Sequence, residues 1–439
     1  MKSLILRWCW RRALTAFAAG LAAVGWAAPE ADSAFPNGLT LEQAVRLALE
    51  RNPELRASGA RVDAAAGRAL QAKKWSNPEL ELNADEWPVS GGRGFSDAIQ
   101  TIGISQTLPY PGKKSLDTRI GSAGLALSQG ELGVRRIELM RDVKAGFFRV
   151  LAAERLLEVS TQLVAVAQSS AATARKRVDA GAAPYQEQLR AEVQLEQART
   201  ELRDLERDQA IAREVLATIL GRPDLRRARL VGTLAETPQP ALMQAPAAEV
   251  VARHPAVLAA RANLERAELE LRRARLEPYP DVKASFSGGK IGETDQSIIQ
   301  LGFSLPLPIL DSSKGKQREA RANVNLAEAE LQSVQQQLER EWANARERYR
   351  AAAEQVARYR ELVLPKADDA LRLVQTGFEQ GKFGFIDLVD TQRTTAEVRL
   401  AYQQKLLELN VAEAEVEALR PAPPDRLSPQ GAAQSKTKP

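Results

Sequence analysis

The chain is poor in the residues that usually carry chemistry. Of 439 residues, one is cysteine, one is histidine and three are methionine, and aromatic side chains account for only 5%. Cys9 follows Leu6, Arg7 and Trp8 rather than the small residues of a lipidation site, and it lies in an N-terminal stretch of leader type. Beyond that stretch no disulfide and no thiol chemistry can be built, and export to an oxidising compartment needs none. Met140, Met243 and His254 form no cluster, so a soft transition-metal site lacks ligands. His254, in "RHP" at a position matching Asn52, reads as a surface or capping residue rather than a metal ligand. No nucleophile, base and orienting group recur together, so an enzyme is not expected, nor a bound cofactor. "PVSGGRGFSD" (88–97) is not followed by Lys-Ser/Thr and a helix as a phosphate loop would be; with "GGKIGETD" (288–295) it reads as a loop between strands.

Positive charge is also scarcer than it first looks. The formal balance is +5, but Lys2, Arg7, Arg11 and Arg12 sit within the first 27 residues with no acid among them, which leaves +1 for the remainder. Nucleic-acid binding therefore loses its electrostatic basis. Those four cations precede the apolar run "ALTAFAAGLAAVGWA", which ends on the small-x-small site Gly25-Trp26-Ala27. This is the pattern of a cleaved secretory signal; a membrane anchor would need an apolar run of about 20 residues.

What is present is helical patterning, repeated. Few aromatics with 27% charged residues is thin for a large globular core and ordinary for long helices. "RNPELRAS" at 51 reappears as "RHPAVLAA" at 253, and Pro53 with Pro255 and Pro78 with Pro280 lie 202 positions apart. "IGISQTLPYPGKK" at 102 answers "LGFSLPLPILDSSKGK" at 301, and Gly181 answers Gly381. The chain is expected to be two copies of one unit.

Each copy reads helix, strand, strand, long helix, break, helix. Thr40 with Gln43 three residues on marks an N-cap, and Pro78 stops that helix. Leu80, Leu82 and Ala84 then alternate with Glu81, Asn83 and Asp85, and Ile299, Leu301, Phe303 and Leu305 with Gln300, Gly302 and Ser304, a period of two that predicts strands with one wet and one apolar face. Leu195, Ala198, Leu202, Leu205, Gln209, Ala212, Leu216 and Ile219 are spaced 3,4,3,4,3,4,3, the left-handed coiled-coil repeat. The expected organisation is a signal at 1–27, a linker at 28–39 and a first repeat over 40–220, with strands 78–87 and 98–108, a long helix 113–180 and a helix 184–220. A linker over 221–245 follows, expected midway along the rod. The second repeat spans 246–419, with strands 280–288 and 297–307, a long helix 311–380 and a helix 384–419, and 420–439 is a disordered tail. Outgoing helices of about 68 residues matched by two shorter returning ones predict a rod of about 100 Å.

Four strands of bilayer-spanning length cannot close a barrel alone, but three chains would supply twelve, with lipid on the apolar side. Trp75, Trp87 and Tyr279 near strand ends would then suit the interfaces.

The tandem repeat, "SQTLPYPGKK", "SLPLPILDSSKGKQREA" and "GKFGFIDLVDTQ" together resemble the TolC-like outer membrane factor family over about residues 38–420. "YPGKK" and the composition look most like its heavy-metal cation efflux branch. The resemblance implies a mainly helical chain with membrane strands: a homotrimer with a twelve-stranded barrel in outer membrane lipid and a long periplasmic coiled-coil helical barrel. It implies a passive exit duct fed by a periplasmic adaptor and an inner-membrane pump of the proton-driven resistance-nodulation-division type. The alternatives are a periplasmic coiled-coil scaffold without a pore, or a duct for drugs or secreted proteins. By the same resemblance Gly181 and Gly381 mark the periplasmic tip, and Asp387 and Asp390 line its narrowest part. Gln186 and Glu187 hold the neighbouring position, so that Glu187 joins the ring. Phe378 and Phe383 stand where the best-known members use tyrosine and arginine to tie the gate. Six carboxylates around one axis would attract cations and repel anions. On the residues alone, both acids equally suit the first turn of a helix.

Overall fold

The computed structural model describes residues 38–86 and 94–420. The proposed signal, most of the 88–97 loop, Trp87 and the C-terminal tail lie outside them. Long helices dominate, and a four-stranded antiparallel sheet sits at one end of the rod.

Helices α1 (Leu41–Arg51) and α2 (Pro53–Lys73) open the chain, and a capping box between Thr40 and Gln43 starts α1. The sequence pattern predicts one helix here, but the structure breaks it at Asn52. A residue before proline is pushed out of the helical region, and Asn52 instead caps α2, its Oδ1 accepting from the Glu54 and Leu55 N–H groups. The equivalent break separates α5 (Ala247–Arg253) from α6 (Pro255–Arg275), where His254 Nδ1 accepts from the Ala256 N–H at 3.2 Å. His254 is thus a buried cap rather than a surface residue. Helix α2 ends at Lys73, five residues before Pro78.

Helix α3 (Lys113–Asp179) runs unbroken for 67 residues, about 100 Å, and returns as α4 (Tyr185–Ile219). Its counterpart is not one helix over 311–380. It divides into α7 (Lys314–Arg358), a π-helical turn at Tyr359–Val363 and α8 (Leu364–Glu379), before α9 (Phe385–Leu419) returns. The cause is Pro365, which has no N–H to donate and whose ring crowds the carbonyl of Glu361, so the ladder slips by one residue just upstream.

The strands are β2 (Glu79–Asp85), β3 (Ile99–Leu108), β5 (Val282–Ile291) and β6 (Gln296–Ser304), ordered β2-β3-β5-β6. The registers Leu82↔Ile102, Ile104↔Phe286 and Phe286↔Leu301 put Leu80, Leu82, Ile102, Ile104, Phe286, Ile299, Leu301 and Phe303 on one face, all exposed. The opposite face carries Glu79, Glu81, Thr101, Gly103, Ser105, Ser285, Ser287 and Gly302. A methyl group at Gly103 would strike Ser287, so this polar face is the concave one. Pro306 and Pro308 end β6 at Ser304, short of the predicted 307, because proline cannot donate to a ladder. No helix among the described residues is long and apolar enough to cross a membrane.

At the junction of sheet and helices, Lys113 is buried and its Nζ lies 2.9 Å from Asp281 Oδ1, which also accepts from the Tyr110 N–H at 2.8 Å. Burial alone would raise the Asp281 pKa, but the Tyr110 N–H and the Lys113 ammonium outweigh it and hold the carboxyl below its ordinary range. Glu277 is lowered likewise, by Lys316 and Arg273.

The main core lies halfway down the rod. Phe147, Val143, Leu139 and Leu220 meet Ala44, Ala48, Leu225 and Leu230 in one cluster; Trp342, Tyr349, Leu406, Leu409 and Val250 form another. Each such large side chain contributes about 1.5–3 kcal/mol by burial. Here the chain between α4 and α5 crosses the bundle as a strap. Its first part pairs β4 (Leu230–Val231) in parallel with β1 (Leu39–Thr40). Its second part is pinned to α9, where Asn410 Oδ1 accepts from the Ala235 N–H at 2.9 Å and Nδ2 donates to Ala235 O at 3.1 Å. The Gln239 N–H donates to the Tyr349 hydroxyl at 2.7 Å.

Candidate functional site

At the end of the rod remote from the sheet, α3 turns into α4 and α8 into α9 by the same device. Gly181 and Gly381 adopt left-handed φ values of 68° and 73°. Beyond each, an N–H returns to the last helical turn, Ala182 to Arg177 O and Lys382 to Gly377 O, both at 2.8 Å. A methyl group at either glycine would meet open space, so the backbone conformation is what requires glycine here.

The two restarts differ. Pro184 precedes α4, whereas Gly384 precedes α9 and its N–H donates to Asp387 Oδ2 at 2.9 Å. Asp387 is therefore occupied on its own helix N-terminus, where negative charge is also favoured by the helix dipole. Asp390, one turn further, is exposed and lines a groove with Gln186, Glu187, Phe385, Arg190 and Arg393. The structure brings together Asp390, Gln186 and Glu187, and leaves Asp387 to one side. It also adds two arginines that the sequence reading did not place there.

Glu187 does not face outward with the aspartates. Its side chain is 11% exposed and lies 3.2 Å from Arg177 Nη1. Its buried Oε1 makes no aligned hydrogen bond, so the contact is an ion pair held by charge rather than by directional bonding. The same Arg177 guanidinium stacks 5.5 Å from the Phe378 ring centroid and 5.9 Å from that of Phe385. The two rings tilt against each other at 6.0 Å. Ala171, Ala174, Ala191 and Val389 complete this small core. Arg177 thus joins α3, α4, α8 and α9 at one point, with a cation–π contribution of about 0.5–1 kcal/mol per ring at a half-exposed site. Phe383 lies apart from it, half exposed, folded over Gly377 of its own hairpin so that a side chain at 377 would strike its ring.

Sequence reasoning singled out Phe378 but passed over Arg177. Its signal was available: it lies four residues before Gly181, as Gly377 lies four before Gly381, and in each case the backbone carbonyl closes the turn. No group of three or more His, Cys, Asp or Glu able to hold a metal ion occurs among the described residues. The tip therefore presents exposed charge of both signs beside an apolar and cation–π contact.

The molecule is thus a rod with an apolar convex sheet face at one end and matched hairpin turns at the other. The model of the outer membrane efflux protein family matches residues 44–222 and 247–420. The chain belongs to that family. The unmatched stretch between the two segments coincides with the strap, and each segment holds one pair of strands and one tip hairpin. This outer membrane efflux protein is 28% identical over 367 residues to the cobalt-zinc-cadmium resistance protein CzcC of Cupriavidus metallidurans, covering 83% of this chain and 85% of that one. It is 27% identical over 302 residues to the nickel and cobalt resistance protein CnrC of the same organism, covering 68% and 69%. A membrane protein from Pseudomonas aeruginosa superposes with a TM-score of 0.75 at 21% identity over 86% of this chain and 93% of that one. CusC superposes with a TM-score of 0.74 at 16% identity over 87% and 92%. These two share its fold. The protein is an efflux channel of the outer membrane with its helices in the periplasm.

Proposed function

We propose that three copies close head to tail into a twelve-stranded barrel continuous with a helical tunnel, the passive exit duct of a tripartite heavy-metal cation efflux system. One observation carries this: a sheet whose convex face exposes eight large apolar side chains, from Leu80 to Phe303, and whose two edge strands, β2 and β6, each leave their outer edge unpaired in the single chain. Lipid satisfies the face, but in lipid an unpaired edge costs several kcal/mol per backbone group, so β6 of one copy pairs with β2 of the next. The names of CzcC and CnrC support cobalt, zinc, cadmium or nickel as cargo. A periplasmic adaptor seats on the tips, and a proton-driven pump of the resistance-nodulation-division type supplies energy and selection.

In this reading the tips are the gate. The Arg177–Phe378–Phe385 cluster ties the two hairpins of one copy, Phe383 and Gln186 stand at the aperture, and Asp390 with Asp387 gives it a cation preference tempered by Arg190 and Arg393. Purified protein in planar bilayers tests this. Asp387→Asn with Asp390→Asn is expected to lower the cation-to-anion permeability ratio roughly threefold. An unchanged ratio removes the charge ring and leaves the duct; absence of any pore from the wild type removes the duct. Loss of the gene is expected to raise sensitivity to cobalt, zinc and cadmium, and unaltered sensitivity would exclude them as cargo.

A further inference from the structure

Halfway along the rod the first part of the strap carries a concentration of unpartnered arginines. Its sequence, "GRPDLRRARL" (221–230), folds as a 3-10 turn at Pro223–Arg227 followed by β4. Leu225, Ala228 and Leu230 point into the core against Ala44 and Ala48 of α1. That leaves Arg226, Arg227 and Arg229 exposed. Arg51, at the end of α1, adjoins them: its carbonyl lies where a side chain at Gly221 would be. Arg46, also exposed on α1, lies about 140° round the helix from Arg51 and between Glu42 and Glu50, and is not part of this group. Among the described residues Arg51, Arg226, Arg227 and Arg229 form no ion pair, whereas Arg222 is already neutralised by Asp224 at 2.6 Å. The exposed acids on α1 are Glu42 and Glu50.

The strap is held rigidly in this presentation. Arg213 donates to the carbonyls of Arg226 and Ala228 while its other nitrogen pairs with Glu154 at 2.6 Å. The second part of the strap, 232–246, has no lysine or arginine. The basic character therefore belongs to one face of the belt and is not a general feature of it.

From this surface we infer a docking site for the carboxylate-bearing polymer of the periplasmic cell wall. The inference rests on the outer membrane duct reading, which fixes the height of the patch. The strap packs on α3 between Leu139 and Leu151, that is 26 to 38 residues from its start at Lys113, or about 40–57 Å from the sheet. Lipid headgroup charge is screened within about 8 Å, so an anionic partner at this level must lie in the periplasm itself. Guanidinium groups match carboxylates bidentately. Three patches around a trimer would engage a multivalent polymer together, so that weak single contacts add up to retention.

The test is co-sedimentation of the full-length, detergent-solubilised protein with purified cell-wall sacculi, comparing wild type with the triple variant Arg226→Gln, Arg227→Gln, Arg229→Gln. The three side chains are exposed, so the variant should keep wild-type pore conductance in planar bilayers. Wild type is expected to sediment with sacculi and to be released by salt, the variant to bind about tenfold more weakly, and amidation of the sacculus carboxylates to abolish binding. Equal binding by variant and wild type overturns the inference, as does binding that survives amidation or that transfers to anionic phospholipid vesicles and not sacculi. A wild type that forms no pores would instead undo the duct reading, whatever the sacculi show.

Discussion

The two halves of the chain are built on one plan and diverge at four places. Both turn at a left-handed glycine, Gly181 or Gly381, both carry two strands with an apolar convex face, and both break their returning helix before a proline. Yet α3 is continuous while its counterpart slips into a π turn ahead of Pro365. Asn52 caps one helix and His254 the other. One half of the strap is basic and bridged to β1; the other is free of basic residues and pinned by Asn410. One restart begins at Pro184, the other is capped by Asp387. The shared features are those the backbone demands, and the differences lie where side chains meet something outside their own repeat.

The largest expected effect comes from breaking the strap's anchor in the second half. Asn410→Ala leaves the Ala235 N–H and carbonyl unpaired against a buried helix, and should cost about 2–3 kcal/mol in thermal unfolding of the detergent-solubilised protein. A loss under about 1 kcal/mol would mean that the strap is held by packing alone. Next come Gly181→Ala and Gly381→Ala, each expected to cost about 1–2 kcal/mol from the positive φ. Because both turns are open to solvent, the two costs should be equal. A clear inequality would break the equivalence of the tips.

Arg177→Ala sharpens the comparison at the tip, because this residue of the first half holds two rings of the second. Hydrogen exchange should quicken about tenfold in both hairpins, near 170–195 and 375–395, from loss of the ion pair and both stacking contacts. Arg177→Lys should restore only part of the protection, since an ammonium keeps the Glu187 pair but not the planar stacking. Quickening confined to the first hairpin would show that Arg177 does not couple the two.

The smallest effect distinguishes the two caps by pH. Burial pushes the His254 pKa below its ordinary value, against the opposing pull of Glu341 on α7 and Glu138 on α3. The folded protein therefore binds fewer protons there than the unfolded chain, and stability rises with pH. The contribution is complete above the ordinary histidine value of about 6.5 and is lost as pH falls through the lowered one. His254→Asn copies the Asn52 cap and should leave stability at pH 8 within about 0.5 kcal/mol of wild type. It should also reduce the decline between pH 7 and 5. An undiminished decline would assign it to groups other than His254; Asp281 and Glu277, whose pKa values are lowered from ordinary carboxyl values, lose their contribution only below about pH 5.

Much of this was legible from spacing. Alternation placed the four strands within a few residues, and the repeat placed both glycine turns and matched Asn52 with His254. Boundaries slipped where proline chemistry competed with periodicity, at Pro53, Pro255, Pro365 and Pro306, because a hydrophobic pattern does not register which carbonyl loses its partner. At the tip, the acids were found but their roles were not. Asp387 and Asp390 are three apart and look equivalent in sequence, while in space one caps its own helix and the other lines a groove with arginines from α4 and α9.

By itself the sequence determined the repeat, the alternation of helix and strand, the glycines at the turns and the apolar face that needs lipid, because each depends on residues within a turn or a strand of one another. Tertiary structure alone decided that Arg177 would bind Glu187 and two phenylalanines from the other half. It also decided that Asn410 would hold a strap 175 residues away and that Arg51 would adjoin the strap that carries three exposed arginines. Charge and aromatic contacts act over a few ångströms in space, and no spacing along the chain encodes which distant helix the fold will bring within that range.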